Sequence, residues 1–163
     1  MIKIFSCNDS RGVRPIWTAE EMGLEYNLEM LPFPPRYFKK EFLNTNILGT
    51  VPYLEDGKVQ MTESVAMCQY LVEKYGPTKL KVEPNEADYA SYLNWLFHSE
   101  ATLTFPQTVY LRYTFQETGV ADKAAEGYRR WFIARLKLLE KSLNKQEFPV
   151  SYTHLRAHET TPH

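Results

Sequence analysis

The hydrophobic pattern changes character at Gly76, and that change limits the folds open to this chain. Before it, short apolar runs of strand type alternate with segments of helical period; after it, no strand signal follows. The pattern requires an α/β unit followed by an all-helical one. IKIFSC (Ile2 to Cys7) alternates as a strand does. Asp9 or Ser10 then offers a helix cap, and Val13, Ile16, Trp17 and Glu20 to Met22 follow at helical spacing. Pro15 falls in the first turn, where a missing N–H is tolerated, and Gly23 ends the helix. Tyr26 to Leu31 reads as a second strand, PFPPR as an extended loop, and Tyr37 to Leu43 as a short helix.

VPYLEDGKVQM has the form of a hairpin, with Tyr53-Leu54 and Val59 to Met61 flanking an Asp56-Gly57 turn. A helix then starts at Thr62 to Ser64 and ends at Gly76, which gives the order βαβαββα. PTKLKVEPNEAD is linker-like. Beyond it, Tyr89, Tyr92, Leu93 and Leu96 form one apolar stripe, and Tyr128, Trp131, Phe132, Arg135, Leu136, Leu139 and Leu143 another. Both read as core, and Phe105-Pro106 should bend or break the first helix. The domains expected are residues 1–76, a linker 77–85, a helical unit 86–149 and a tail 150–163.

A net charge of −1 over 163 residues gives no electrostatic reason to expect nucleic acid or an anionic membrane as partner. No apolar run approaches the ~20 residues that span a bilayer. The first residues lack the basic, apolar and small-residue regions of a signal peptide. Two cysteines, Cys7 and Cys68, make no disulfide framework, so a reducing, cytoplasmic setting is the expectation.

The chemistry concentrates in GTVPYLEDGKVQMTESVAM. Val51-Pro52 precedes a strand, and a cis bond there would leave the Val51 N–H and C=O free to pair with an extended peptide. Glu63-Ser64 lies at a helix N-terminus, where spare N–H groups and the dipole suit a carboxylate. The Ser hydroxyl can donate to that carboxylate, and the Glu can take an ammonium. Together these groups would hold the zwitterionic end of an amino acid. The plain alternative is a capping Ser64 or Thr62 and a loop proline.

NTNILGTVPYLEDGKVQMTESVAMCQYLVEKYG resembles the glutathione-binding half of a cytosolic glutathione S-transferase. SRGVRPIWTAEEMGLEY resembles that family's first helix, and ADYASYLNWLFHSEATL the start of its helical domain. The likeness runs from Ile2 to about Phe148; Asn46-Ile47 departs from the frequent Asn-Pro, with little effect expected. The resemblance implies a thioredoxin-like N-terminal domain with cis Val51-Pro52, followed by an all-α domain that is incomplete in this chain. It implies glutathione as co-substrate with no further cofactor, its γ-glutamyl end on Glu63 and Ser64 and its cysteinyl backbone on Val51. It also implies a small electrophilic second substrate, with Tyr110 and Tyr113 as candidate lining, and a homodimer for the complete protein.

Such a reaction needs a thiolate. Lowering a thiol pKa by ~2 units takes ~2.7 kcal/mol of preference for the charged form. A helix end gives roughly 0.3–1 kcal/mol and a hydrogen bond to a charged group about 1.5–3, so the two together suffice. Ser10 could supply both, and it falls where serine-type members carry their activating hydroxyl; Arg11 would add positive potential. Cys7 is the alternative: a nucleophile there would form a mixed disulfide with glutathione, making a thiol/disulfide oxidoreductase. The absence of Cys-x-x-Cys excludes a dithiol cycle within the chain. A third possibility is a binding module that kept the fold without the chemistry.

VSYTHLRAHET, from Val150, resembles a frame translation of a transposase adaptor used in sequencing libraries. The expectation is therefore that residues 150–163 are not native and that the chain is cut short. On that expectation His154, His158 and Glu159 make no metal site, and two histidines would be too few for zinc in any case. No metal is expected elsewhere, and His98 is expected to be structural or exposed.

Overall fold

The computed structural model describes residues 1–150. The tail histidines His154, His158 and His163, with Glu159, lie outside the described residues. The chain divides into two compact units, Met1–Thr78 and the part from Lys79 onward.

The first unit is built on β1 (Ile2–Ser6), which is buried on both faces. Ile2 and Ile4 turn one way, to meet Leu54, Ala19 of α1 (Val13–Glu21), and Met67 and Leu71 of α3 (Ser64–Lys74). Phe5 and Cys7 turn the other way, onto Leu31, Phe42 and Tyr53. A strand with two covered faces needs apolar residues at odd and even positions alike, which IKIFSC supplies.

The sheet order is β2-β1-β3-β4, with β2 (Tyr26–Met30) parallel to β1, and β3 (Tyr53–Asp56) and β4 (Val59–Met61) antiparallel additions. This is the thioredoxin-like arrangement, followed by an all-helical region.

α1 ends in a Schellman motif: the Gly23 N–H bonds the Glu20 carbonyl and the Leu24 N–H the Ala19 carbonyl, with Gly23 at φ +63. Several boundaries differ from the expected ones. α1 starts at Val13 with Gly12 at its cap, so neither Asp9 nor Ser10 caps it. The short helix splits into α2 (Pro35–Phe38), opened by Pro35 with its preset φ, and a 3₁₀ turn, Lys40–Asn44. The hairpin turn is Gly57-Lys58, because Asp56 still pairs with Val59. Asp56 stays in β3 because its carboxylate is buried under three donors: Tyr70 Oη (2.8 Å), Lys74 Nζ (2.7 Å) and Tyr75 Oη. These donors hold its carboxyl well below the usual carboxylate range.

In the second unit α4 (Tyr89–Phe97) runs through a π-helical segment, His98–Thr104, into α5 (Phe105–Leu111). The expected break at Phe105-Pro106 takes the form of a wide turn that precedes the proline. There the Thr104 hydroxyl donates to the Ser99 carbonyl at 2.8 Å. A second π segment, Arg112–Gln116, precedes α6 (Asp122–Leu143).

Tyr92 and Leu96 are buried as expected, but the α6 stripe is not core: Ala125 is that helix's one buried residue. Trp131 and Leu143 are 39% and 44% exposed. Ring contacts from Phe105 to Tyr128 and Trp131 tie α5 to α6 but cover only part of the stripe. His98 is half-buried against Trp95, and its Nε2 has no hydrogen-bond partner among the described residues. Val82, in the expected linker, is buried, as is Val150, the first residue assigned to the tail. Both are apolar side chains in segments whose polar composition dominated the pattern.

Candidate glutathione-binding site

Strand register brings three loops to one end of the sheet. Phe5 of β1 lies opposite Tyr53 of β3, and Leu54 opposite Met61 of β4. The turn after Ser6, the residues before Tyr53 and the residues after Met61 therefore emerge together. These are the segments that carry Ser10, Val51-Pro52 and Glu63-Ser64.

Ser10 lies in the turn between β1 and α1, where its carbonyl accepts the Val13 N–H. Its hydroxyl donates to the Cys7 carbonyl at 2.9 Å and accepts from the Gly12 N–H at 3.2 Å and the Cys7 N–H at 3.4 Å. The buried Ser6 hydroxyl is 3.3 Å away. Ser10 is half-buried and Arg11 exposed.

Cys7 is 4% exposed within an aromatic cluster, and burial pushes its thiol up. That is the reverse of nucleophile activation. Cys68, on α3, is likewise raised, first by burial.

Val51-Pro52 is cis, as are Phe33-Pro34 and Gly76-Pro77. The loop before Val51 is shaped by buried Asn46: its Nδ2 donates to the Thr50 carbonyl (2.9 Å) and its Oδ1 accepts the Leu48 N–H (3.1 Å). Gly49 follows at φ +57, where a Cβ would stand 2.7 Å from Arg36 Cβ. Only glycine meets both demands. Val51 is half-buried and Pro52 buried.

At the start of α3, Glu63 is exposed and takes the cap position with extended backbone, and no side chain caps the helix. Its first N–H groups thus have no capping side chain. Ser64 is the first helical residue and is 5% exposed. It caps nothing; instead its hydroxyl accepts from Arg14 Nη1 of α1 at 2.9 Å. Arg14 is buried, and sequence reasoning did not single it out. The available signal was its place one turn after Ser10, on a helix otherwise burying Pro15 and Ala19.

Because the guanidinium occupies a lone pair on Ser64 Oγ, the hydroxyl proton remains to be donated elsewhere. A fixed positive charge, a hydroxyl proton that Arg14 does not use and uncapped helix N–H groups make this end of α3 suited to a carboxylate.

Tyr110 and Tyr113 are half-buried, in α5 and in the π segment Arg112–Gln116. No cluster of metal-ligating side chains occurs among the described residues, and no helix there is long and apolar enough to cross a membrane.

Known proteins similar to this chain include glutathione S-transferases. The chain is 32% identical to glutathione S-transferase 3 of Schizosaccharomyces pombe over 63% of its own length and 43% of the relative's. It is 30% identical to glutathione S-transferase D7 of Drosophila melanogaster over 71% of its length and 52% of the relative's. It thus spans about half the length of the curated relatives it matches.

Among solved structures it is similar to glutathione transferase URE2P6 of Phanerochaete chrysosporium, a complex with oxidized glutathione. The TM-score is 0.79 at 29% identity, over 91% of this chain and 70% of that one. Residues 5–79 match the family model of the glutathione S-transferase, N-terminal domain, so that segment is similar to this domain.

Proposed function

We propose that this chain binds glutathione at this end of the sheet and serves a glutathione transferase of serine type. The observation that carries the reading is the Arg14–Ser64 pair at the uncapped start of α3, an anion site at the same end of the sheet as Ser10 and cis Val51-Pro52. The γ-glutamyl carboxylate lies on Ser64 and the first N–H groups of α3. Its ammonium lies on Glu63, and the cysteinyl backbone pairs with Val51 as an added strand would.

The glutathione thiol then points toward Ser10. Its proton leaves to water, and the Ser10 hydroxyl donates to the resulting thiolate. The thiolate attacks an electrophilic carbon; a C–S bond forms, and the leaving group departs with its electron pair. The protein's task is to make the ionised form ~2.7 kcal/mol more favourable than it is in water, for a shift of ~2 units. A charge-assisted hydrogen bond and the N-terminal end of α1 supply that together. Arg11 adds positive potential beside them.

Burial of Cys7 and its raised thiol favour this reading over a mixed disulfide on Cys7. The electrophile, a homodimeric assembly and a cytoplasmic setting belong to the same proposal. The test is conjugation of glutathione to an aryl halide by the wild type and two variants. Ser10→Ala should abolish turnover and Cys7→Ser should spare it. The reverse result would make the protein an oxidoreductase, and glutathione affinity without turnover in the wild type would make it a binding module.

A further inference from the structure

A hydroxyl has a single proton, and Ser10 already uses its own on the carbonyl of Cys7 at 2.9 Å. To donate to a thiolate it must abandon that carbonyl. Cys7 is 4% exposed, so water is poorly placed to replace the lost donor, and an unmade bond to a buried acceptor is costly. Left alone, that cost would work against activation.

Ser6 removes the difficulty. Its hydroxyl stands 3.3 Å from the same Cys7 carbonyl and 3.3 Å from Ser10 Oγ, and it is buried at 1% exposure. Two serine hydroxyls therefore serve one carbonyl. The N–H groups of Gly12 and Cys7 hold the Ser10 oxygen from behind, which keeps it in place while its proton turns and polarises the O–H bond.

The crowding is specific to this pair. A Cβ on Gly12 would lie 1.9 Å from Ser6 Oγ and 3.1 Å from Ser10 Oγ, so glycine at 12 lets both hydroxyls occupy the turn.

We propose that Ser6 is a positioning residue for the transferase reaction: it satisfies the Cys7 carbonyl when the Ser10 proton turns to the glutathione thiolate. The inference rests on the reading of Ser10 as the thiolate's donor. No group is transferred through Ser6, and its proton stays on its own oxygen.

The test is a pH titration of the thiolate absorbance of glutathione bound to the full chain. Wild type, Ser6→Ala and Ser10→Ala are compared, with glutathione affinity measured alongside. Ser10→Ala should raise the bound thiol most of the way to the pKa of free glutathione, with only the share from the N-terminal end of α1 remaining. Ser6→Ala should raise it by about half to one unit, so that thiolate and turnover fall roughly three- to tenfold below that pKa. Affinity should stay within about twofold, and turnover should recover at high pH, where the thiol ionises unaided.

A merely structural Ser6 would lower affinity and turnover equally at every pH, and that result would overturn the inference. So would a Ser6→Ala pKa equal to wild type while Ser10→Ala loses the depression. No effect of Ser10→Ala would instead sink the parent reading.

A second measurement needs no folded Ser6 variant. With ¹³C=O cysteine, the carbonyls of Cys7 and Cys68 can be followed by infrared spectroscopy as glutathione binds, with Cys68, inside α3, as the internal reference. The Cys7 band should remain at a hydrogen-bonded frequency in the wild-type complex. A shift to the frequency of an unbonded carbonyl would show that nothing takes over from Ser10, and the inference would fall.

Discussion

The guanidinium of Arg14 donates to the hydroxyl of Ser64 at 2.9 Å, joining α1 to α3 across fifty residues of chain, and both side chains are buried. The bond fixes which way the Ser64 hydroxyl can donate. Ser64→Ala should weaken glutathione binding roughly tenfold or more, the loss expected for one hydrogen bond to a charged group. Arg14→Met should give a loss of similar size, because the remaining hydroxyl is no longer held toward the ligand. Calorimetric titration with glutathione checks both; unchanged affinity in Ser64→Ala would remove the anion site from the account.

Asp56 anchors the opposite end of the same sheet through Tyr70, Lys74 and Tyr75. Its carboxyl is held below its unfolded value of about 3.9, first by the hydrogen bond from Lys74 and then by that from Tyr75. A depressed acid stabilises the fold above the unfolded pKa, and that stability is lost as pH falls toward the folded one. Denaturant midpoints should therefore drop below about pH 4 in the wild type, and the Asp56→Asn variant should show a shallower drop there. At neutral pH the substitution should cost roughly 2 kcal/mol, since Lys74 is exposed enough for solvent to screen its share. Glutathione affinity should not change.

Two glycines separate conformation from space. Gly49 and Gly57 take φ +57 and +63, but a Cβ meets Arg36 and Leu43 at the first and nothing within 4 Å at the second. Gly57→Ala should cost about 1–2 kcal/mol, the left-handed penalty alone. Gly49→Ala should cost clearly more and also reduce glutathione affinity, because the loop it belongs to carries Val51. Thermal unfolding and calorimetry of the two variants test the difference.

The buried, raised Cys7 thiol should react slowly with an alkylating agent at neutral pH and rapidly once the chain is unfolded. Rapid native alkylation that glutathione blocks would revive the oxidoreductase reading.

The strands and α3 were legible because their signals are local: alternation in IKIFSC, glycine near the hairpin turn, a capping pattern before an apolar run. The start of α1 was displaced because Ser10 resembles a cap in sequence, while its hydroxyl instead bonds Cys7 and Gly12 in the preceding turn. Arg14 escaped notice and Asp56 was assigned to the turn for a shared reason. Each looks like an ordinary surface charge, and each becomes buried through partners ~15–50 positions away. Ser6 was hidden in the same way, inside a strand whose apolar neighbours dominate the pattern. The α6 stripe misled in the opposite sense: its period shows a helix with an apolar face, which is not evidence that the face is covered.

The most direct measurement is an amide NMR titration of the labelled chain with glutathione. Shifts are expected at Ser10, Val51, Ser64 and Val65, at one end of the sheet, and none at Asp56 or Gly57 at the other. Saturable shifts confined to the far end, or no shifts at millimolar glutathione, would rule out the glutathione site at Ser10, Val51 and Ser64.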